Sequence, residues 1–151
     1  MTWMPEMEEL ELKRELAKRM GGAEGIERQH GQGRLTVRER IDQLVDDESF
    51  EEVGTHNGAA TYDDDDRLVS YRPSSTLRGY GRIDGRTVII EGGDFTIRGG
   101  ASDGTLGGGR GRILNSMVEE MGVPLIRLLD AAGGSVRNYD PNTSIGNAPS
   151  I

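Results

Sequence analysis

Two adjacent glycines near the C-terminal end of the sequence could do chemistry with backbone atoms alone. Gly133 and Gly134 follow an apolar run, Val123–Leu129, which predicts a strand buried on both faces. Two backbone N–H groups that point at one oxygen stabilise the negative charge that develops on it. The alternative is a tight turn whose small residues serve packing only. No His stands near Ser135 and no second carboxylate near Asp130 in the sequence, so no nucleophile with a base is indicated.

A second glycine-rich stretch, residues 94–112, could bind a phosphate. It lacks the Gly-Lys-Ser/Thr ending of a P-loop, and Arg112 stands where the dinucleotide-binding pattern needs its third glycine. Those two nucleotide-binding folds are therefore disfavoured. Arg110 and Arg112 nevertheless open a predicted helix beside glycine amides, and cations next to free amides suit a phosphate. The alternative is that both arginines face solvent.

The composition gives little support to metal chemistry or to catalysis by cysteine. There is no Cys, and the two His, His30 and His56, are too few for a histidine-rich metal site. The run Asp63–Asp66 holds four consecutive carboxylates, which rarely surround one ion without spacing or a glycine turn. We expect a hydrated loop there and no metal bound by this chain.

The elements that hold these loops follow from apolar periodicity and turn signals. A charged helix is predicted over residues 5–20, and Gly21 ends it. A second helix begins at Thr36, because Thr36 and Glu39 have the spacing of a capping box. The Asp84-Gly85 dipeptide predicts the turn of a hairpin over residues 79–93.

The remaining elements give an α/β order. Residues 49–53 are predicted as a short strand and residues 54–78 as a loop, while residues 113–121 have one apolar helical face that ends at Gly122. The order of hairpin, glycine loop, helix, strand and glycine loop predicts a sheet covered by helices.

Charge and hydropathy set limits on the partners. The chain has 151 residues, enough for one domain, and a net charge of −8, which opposes nucleic-acid binding. No run of about 18 apolar residues indicates a membrane span, and the charged N-terminal stretch does not resemble a signal peptide. We expect a cytoplasmic protein with no nucleic-acid and no membrane partner.

Three stretches of the sequence carry a family resemblance. They are RQHGQGRLTVRERIDQLVDDESFEEVG (28–54), GYGRIDGRTVIIEGGDFTIRGGASDG (79–104) and MGVPLIRLLDAAGGSV (121–136). In this order and spacing they resemble the carboxyltransferase (beta) subunit of biotin-dependent acyl-CoA carboxylases, of the propionyl-CoA carboxylase beta-chain type. The resemblance covers most of residues 27–137.

The resemblance implies a fold and a set of site residues. The fold is a crotonase-like α/β spiral of ββα units, incomplete here and preceded by N-terminal helices. Gly133 and Gly134 would form an oxyanion hole for the thioester carbonyl of an acyl-CoA. The substrate-binding positions implied by the family are Phe95, Gly99, Gly100 and Ala101 in the acyl-CoA pocket, and Arg110 and Arg112 near the CoA phosphates.

The resemblance also implies the cofactor and the partners. Biotin is carried on a partner protein, the biotin carboxyl carrier or the biotin carboxylase subunit. Carboxybiotin gives its carboxyl group to the α carbon of an acyl-CoA such as propionyl-CoA, and the ureido nitrogen of biotin takes the proton. This agrees with the lack of a side-chain base. The carboxyltransferase subunits are expected to form a homo-oligomer.

The sequence also departs from the family. Family chains are several hundred residues longer, and the second crotonase-like domain, which supplies the oxyanion hole for biotin, has no counterpart here. The loop Ala131–Gly134 varies the common Ser-Gly-Gly-Ala form. We expect residues 1–26 to be a helical arm and residues 27–151 the truncated N-terminal part of a carboxyltransferase domain, inactive alone.

Two other functions stay open at this stage. One is a non-catalytic fragment that docks through its N-terminal helices onto a full-length carboxyltransferase subunit. The other is a crotonase-type hydratase or isomerase, which would need a pair of carboxylates in the pocket, and the sequence places no partner beside Asp130.

Overall fold

The computed structural model describes residues 3–101 and 116–132, in which N-terminal helices precede two sheets. The helices are α1 (Met4–Lys18), α2 (Gly22–Gly31), α3 (Val37–Asp42) and α4 (residues 116–121). The strands are β1 (Glu51–Glu52), β2 (Gly58–Tyr62), β3 (Leu68–Pro73), β4 (Thr76–Ile83), β5 (Arg86–Gly93) and β6 (Leu125–Leu128). Within these ranges no helix is long and apolar enough to cross a membrane.

The larger sheet has the strand order β1-β4-β5-β6 and contains the hairpin expected from the sequence. Asp84 and Gly85 join β4 to β5 with φ values of 50° and 77°, the left-handed conformation that a two-residue hairpin turn requires. The Asp46 carboxylate accepts hydrogen bonds from both turn amides, at 2.9 and 2.8 Å. The hairpin is therefore confirmed, although β4 begins at Thr76, earlier than predicted.

β6 lies parallel to β5, the arrangement that needs a crossover connection between the two strands. The register pairs Ile89 with Leu125 and Gly92 with Leu128, so both strands end at the same edge of the sheet. α4 ends at Gly122, whose φ of 61° suits a helix C-terminus. The predicted order of helix and strand is confirmed for these residues.

The predicted burial of β6 on both faces is wrong in the part of the chain that the structure describes. The side chains of Leu125, Ile126 and Leu128 are only partly buried, and Leu129 is 80% exposed. β5 pairs with one edge of β6, and no described strand pairs with the other. The apolar run therefore identified the strand but not the layers around it.

The core lies between α3 and the larger sheet. The predicted capping box is present, since the Thr36 hydroxyl accepts from the Glu39 N–H at 3.3 Å and the Glu39 carboxylate accepts from the Thr36 N–H at 2.7 Å. This start of α3 turns Val37 and Ile41 inward, where both are almost completely buried. The buried core cluster consists of Val37, Ile41, Leu77, Val88 and Ile90.

The prediction of a loop over residues 54–78 is wrong, because they contain β2 and β3, an antiparallel pair. Most side chains of β2 are exposed, so its sequence, GAATY, lacks the alternation that reveals a half-buried strand. The acidic run Asp63–Asp66 lies exposed in the turn between them. There Asp63 Oδ1 accepts from the N–H groups of Asp65 and Arg67, at 3.0 and 2.9 Å.

α2 was not predicted, because it is rich in glycine and glycine disfavours helix formation. Gly25 and the preceding Gly21 allow the helix to lie close to the loop after β5. A Cβ at Gly25 would be 3.2 Å from the Thr96 carbonyl oxygen, and the Gly21 N–H donates to Thr96 Oγ1 at 2.9 Å. The predicted boundary after residue 26 falls inside α2, and the division into arm and domain stays a prediction.

Candidate functional site

The two glycine-rich loops selected in the sequence meet at the edge where β5 and β6 end. We call residues 94–101 the first loop and residues 129–132 the described part of the second loop. The Ala132 N–H donates to the Gly99 carbonyl oxygen at 2.8 Å and joins the loops directly. The carboxyl ends of parallel strands are the usual ligand-binding edge of an open α/β sheet. This edge is therefore the candidate site.

The first loop makes a narrow left-handed turn. Arg98, Gly99 and Gly100 have φ values of 52°, 63° and 71° in succession. Glycine adopts this conformation without the steric cost that other residues incur, so the two glycines make the turn possible. The Ser75 hydroxyl donates to the Ala101 carbonyl oxygen at 3.0 Å and holds the end of the turn. Three predicted substrate-binding residues, 99 to 101, thus lie together beside the second loop.

Phe95 lies at the start of the first loop, next to an arginine that the sequence analysis did not select. The central guanidinium carbon of Arg34 is 4.5 Å from the centroid of the Phe95 ring, a cation–π contact. The ring also approaches the turn, since a Cβ at Gly99 would lie 3.9 Å from Phe95 Cζ. The side chain of Arg34 is 41% exposed, so its charge is accessible beside the predicted pocket.

Asp130 lies in the second loop, and its carboxylate contacts side chains from the N-terminal helical region. Gln29 Nε2 donates to Asp130 Oδ2 at 3.2 Å. The guanidinium groups of Arg40 and Arg34 lie 3.7 and 3.9 Å from the carboxylate. Gln29 is buried and also donates to the Leu35 carbonyl oxygen. These contacts could not be predicted from the sequence, because 101 positions separate Gln29 from Asp130.

The first loop also contains a buried carboxylate, that of Asp94. Asp94 is 2% exposed, and its Oδ1 accepts from the N–H and the hydroxyl of Thr96 at 2.9 and 2.5 Å. Burial raises the pKa of Asp94 and the charge of Asp130 adds to the rise, while Thr96 and Arg38 oppose it. Because Asp94 is buried and bonded to both the N–H and the hydroxyl of Thr96, it holds the start of the first loop.

A cavity beside Asp94 is too small for an acyl-CoA. Arg38, Glu52 and Asp94 contribute to its lining, and its volume of about 20 Å³ fits a water-sized group. Arg38 donates to Glu52 Oε2 at 2.8 Å. Of its lining residues, only Asp94 belongs to the first loop.

The comparison with protein families covers the whole candidate site. Residues 28–143 match the carboxyl transferase domain family. The chain belongs to this family. The matched stretch includes α3, the larger sheet and both loops, so the residues that meet at the loop edge lie inside a carboxyl transferase domain.

Curated relatives of this carboxyl transferase domain include carboxylase and decarboxylase subunits. The chain is 34% identical over 140 residues to the propionyl-CoA carboxylase carboxyltransferase subunit of Haloferax mediterranei. The aligned stretch covers 91% of this chain and 26% of the relative. The chain is 31% identical over 136 residues to the methylmalonyl-CoA decarboxylase subunit alpha of Veillonella parvula, covering 90% and 26%. The chain spans about a quarter of the length of these relatives.

A solved structure of transcarboxylase 12S, a hexamer with methylmalonyl-CoA and methylmalonic acid bound, resembles this carboxyl transferase domain. The TM-score is 0.70 at 28% identity, and the match covers 90% of this chain and 26% of that chain. A single-chain, multi-domain long-chain acyl-CoA carboxylase shares the fold, with a TM-score of 0.67 at 18% identity. The crotonase-like α/β fold implied by the resemblance is confirmed.

Part of the predicted carboxyl transferase site lies outside the described residues. Gly133, Gly134, Arg110 and Arg112 belong to this part, and their roles stay predictions. In the two ranges that the structure does describe, no three His, Asp or Glu side chains are grouped as metal ligands.

Proposed function

We propose that this chain is the acyl-CoA-binding part of a biotin-dependent acyl-CoA carboxyltransferase. The proposal is carried by the hydrogen bond between the first and second loops, made within the stretch that matches the family. In the reaction the N–C bond of carboxybiotin breaks and a C–C bond forms at the α carbon of an acyl-CoA. The α proton goes to the ureido nitrogen of biotin. The names of the relatives support a short acyl group, as in propionyl-CoA.

In this proposal Gly133 and Gly134 supply the N–H groups that stabilise the thioester oxygen. Loss of the α proton moves negative charge onto that oxygen, and fixed N–H dipoles stabilise it without a side-chain base. The contact between Ala132 and Gly99 supports the proposal, because it holds the backbone immediately before the two glycines.

The first loop and two arginines bind the rest of the substrate. Phe95 offers an apolar surface, and the turn at residues 99–101 lines the acyl pocket next to it. Arg110 and Arg112 pair with the CoA phosphates, since guanidinium groups bind phosphate oxygens through charge-assisted hydrogen bonds.

The proposed cofactor and partners follow from the family. Biotin reaches the site on a biotin carboxyl carrier or a biotin carboxylase subunit, and the carboxyltransferase subunits form a homo-oligomer. The hexamer of transcarboxylase 12S supports this assembly. We also propose a cytoplasmic protein that binds no metal, nucleic acid or membrane.

We further propose that the 151-residue chain does not turn over alone. It spans about a quarter of the length of its relatives, and in this proposal the oxyanion hole for biotin comes from residues outside this sequence. The exposure of Leu129, 80%, and of Trp3, 73%, favours one alternative, a non-catalytic fragment that docks on a full-length subunit.

Calorimetric titration of the chain with propionyl-CoA and with free CoA tests the proposal. Both ligands are expected to bind, and propionyl-CoA more tightly, because only it has a thioester oxygen for the second loop. A chain that circular dichroism shows to be folded and that binds neither ligand would contradict the proposal. Such a result would favour the docking fragment.

A further inference from the structure

The backbone of Asp130 is enclosed between two glycines of the neighbouring strand and loop. A Cβ at Gly93 would lie 2.7 Å from the Asp130 carbonyl oxygen, and a Cβ at Gly100 would lie 2.3 Å from it. Neither position has room for a side chain, so both glycines serve the close approach of this one carbonyl group. The backbone of Asp130 is thereby fixed against the end of β5 and the turn of the first loop.

The side chain of Asp130 is held from the opposite direction by the N-terminal helical region. Gln29, Arg40 and Arg34 contact its carboxylate at 3.2, 3.7 and 3.9 Å. The carboxylate side chain is 21% exposed, so solvent screens these interactions only in part. Gln29 is 3% exposed and is itself fixed by its bond to the Leu35 carbonyl oxygen.

We propose that Asp130 is a positioning residue, which holds Ala131 and Ala132 against the first loop and so sets the direction from which the chain enters Gly133. The proposal rests on the proposed function for its catalytic meaning, because the thioester oxygen is taken to bind at Gly133 and Gly134. Asp130 itself touches no substrate. Its carboxylate acts through the backbone that it orients.

The charge of the carboxylate is central to this role. Two guanidinium groups lie within 4 Å of the carboxylate, and hydrogen bonds to charged groups are stronger than those between neutral groups. An Asn keeps the size of the side chain but removes the charge and one acceptor oxygen. Asp130→Asn therefore loosens the link without opening a cavity. Asp64→Asn, in the exposed turn between β2 and β3, is the matched control.

Hydrogen exchange tests the positioning without any ligand. The Ala132 N–H donates to the Gly99 carbonyl oxygen, so its exchange rate reports how firmly the loops are joined. Asp130→Asn is expected to speed exchange at Ala132 by about tenfold, a loss of roughly 1.4 kcal/mol in local stability, while Asp64→Asn leaves it unchanged. An unchanged rate in Asp130→Asn would overturn the proposal.

Ligand binding then tests the consequence for the site. The ratio of the Kd for free CoA to the Kd for propionyl-CoA isolates the thioester contact, because the CoA part is common to both ligands. Asp130→Asn is expected to bring this ratio towards one and to leave the Kd for free CoA unchanged. If the ratio in Asp130→Asn equals that of the wild-type chain, the proposed role of Asp130 in the site is overturned.

The two measurements also separate failure of this inference from failure of the proposed function. A wild-type chain that shows no preference for propionyl-CoA overturns the proposed function, and the exchange rate at Ala132 still decides whether Asp130 positions the loop.

If Asp130→Asn does not fold, Arg40→Gln removes one of the two cations and leaves Asp130 in place. It is expected to change both readouts in the same direction, and no change in the exchange rate would count against the inference.

Discussion

The carbonyl oxygen of Asp130 occupies the space that a side chain at Gly100 would need, 2.3 Å from the position of a Cβ there. Gly100 also has a φ of 71°, so its backbone conformation independently favours glycine. The first loop and the second loop are therefore matched in shape at this point. A change at Gly100 has to displace one of them.

Gly100→Ala is expected to destabilise the chain more than Gly33→Ala. Gly33 has a similar φ of 69° and open space around it, so its substitution measures backbone strain alone, about 1–2 kcal/mol. At Gly100 the clash with Asp130 adds overpacking of about 1–3 kcal/mol. Urea unfolding gives both free energies. Equal destabilisation by the two variants would show that the loops are not in contact.

Gly92→Ala is expected to destabilise the packing of α3 on β5, and Val37→Ala is expected to relieve part of the effect. A Cβ at Gly92 would lie 2.4 Å from Val37 Cγ2, so an added methyl group overpacks the core by about 1–3 kcal/mol. Removal of the Val37 methyl groups makes room for it. The double variant should be less destabilised than the sum of the single variants, as chemical unfolding will measure. Strict additivity would argue against this contact.

Glu39 is expected to stabilise the chain in a pH-dependent way. The hydrogen bond from His30, and next the N–H of Thr36, lower the pKa of Glu39 from 4.5 to about 2. Because the pKa of Glu39 is lower in the folded state than in the unfolded state, the charged carboxylate stabilises the folded state at pH values above about 4.5. This contribution to stability is lost as the pH falls from about 4.5 to about 2. The difference in unfolding free energy between wild type and Glu39→Gln should therefore shrink over this interval.

Chemical unfolding at several pH values between 7 and the acid limit of the folded state measures that difference. Glu27→Gln, on the exposed surface of α2, controls for the loss of one negative charge. A difference for Glu39→Gln that stays constant down to the lowest accessible pH would refute the linkage.

The local features of the fold could be predicted because their signals are contiguous. The capping box needs only Thr36 and Glu39, three positions apart, and the hairpin turn needs only Asp84 and Gly85. The glycine loops were also evident, since their composition is unusual wherever they lie. Such signals depend on neighbouring residues and survive any tertiary arrangement.

The features that were missed depend on contacts between distant segments. β2 exposes most of its side chains and leaves no alternating pattern, and α2 contains Gly25 where it passes close to Thr96. The arginines and the glutamine that contact Asp130 stand about a hundred positions before it, and no sequence pattern links residues so far apart. The residues of the two loops could therefore be identified from a single sequence, but the side chains that hold the loops together could not.

Arg110→Glu combined with Arg112→Glu is expected to weaken binding of free CoA by roughly tenfold at low salt, because two cations that are proposed to bind the phosphates become anions. The loss should be smaller at high salt, where ions screen the interaction. Arg86→Glu is the control, since Arg86 is exposed at the start of β5, the end of the strand away from the first loop. Calorimetric titration at two salt concentrations measures the effect. Unchanged affinity at low salt would remove both arginines from the site, and an equal loss in Arg86→Glu would assign the effect to net charge.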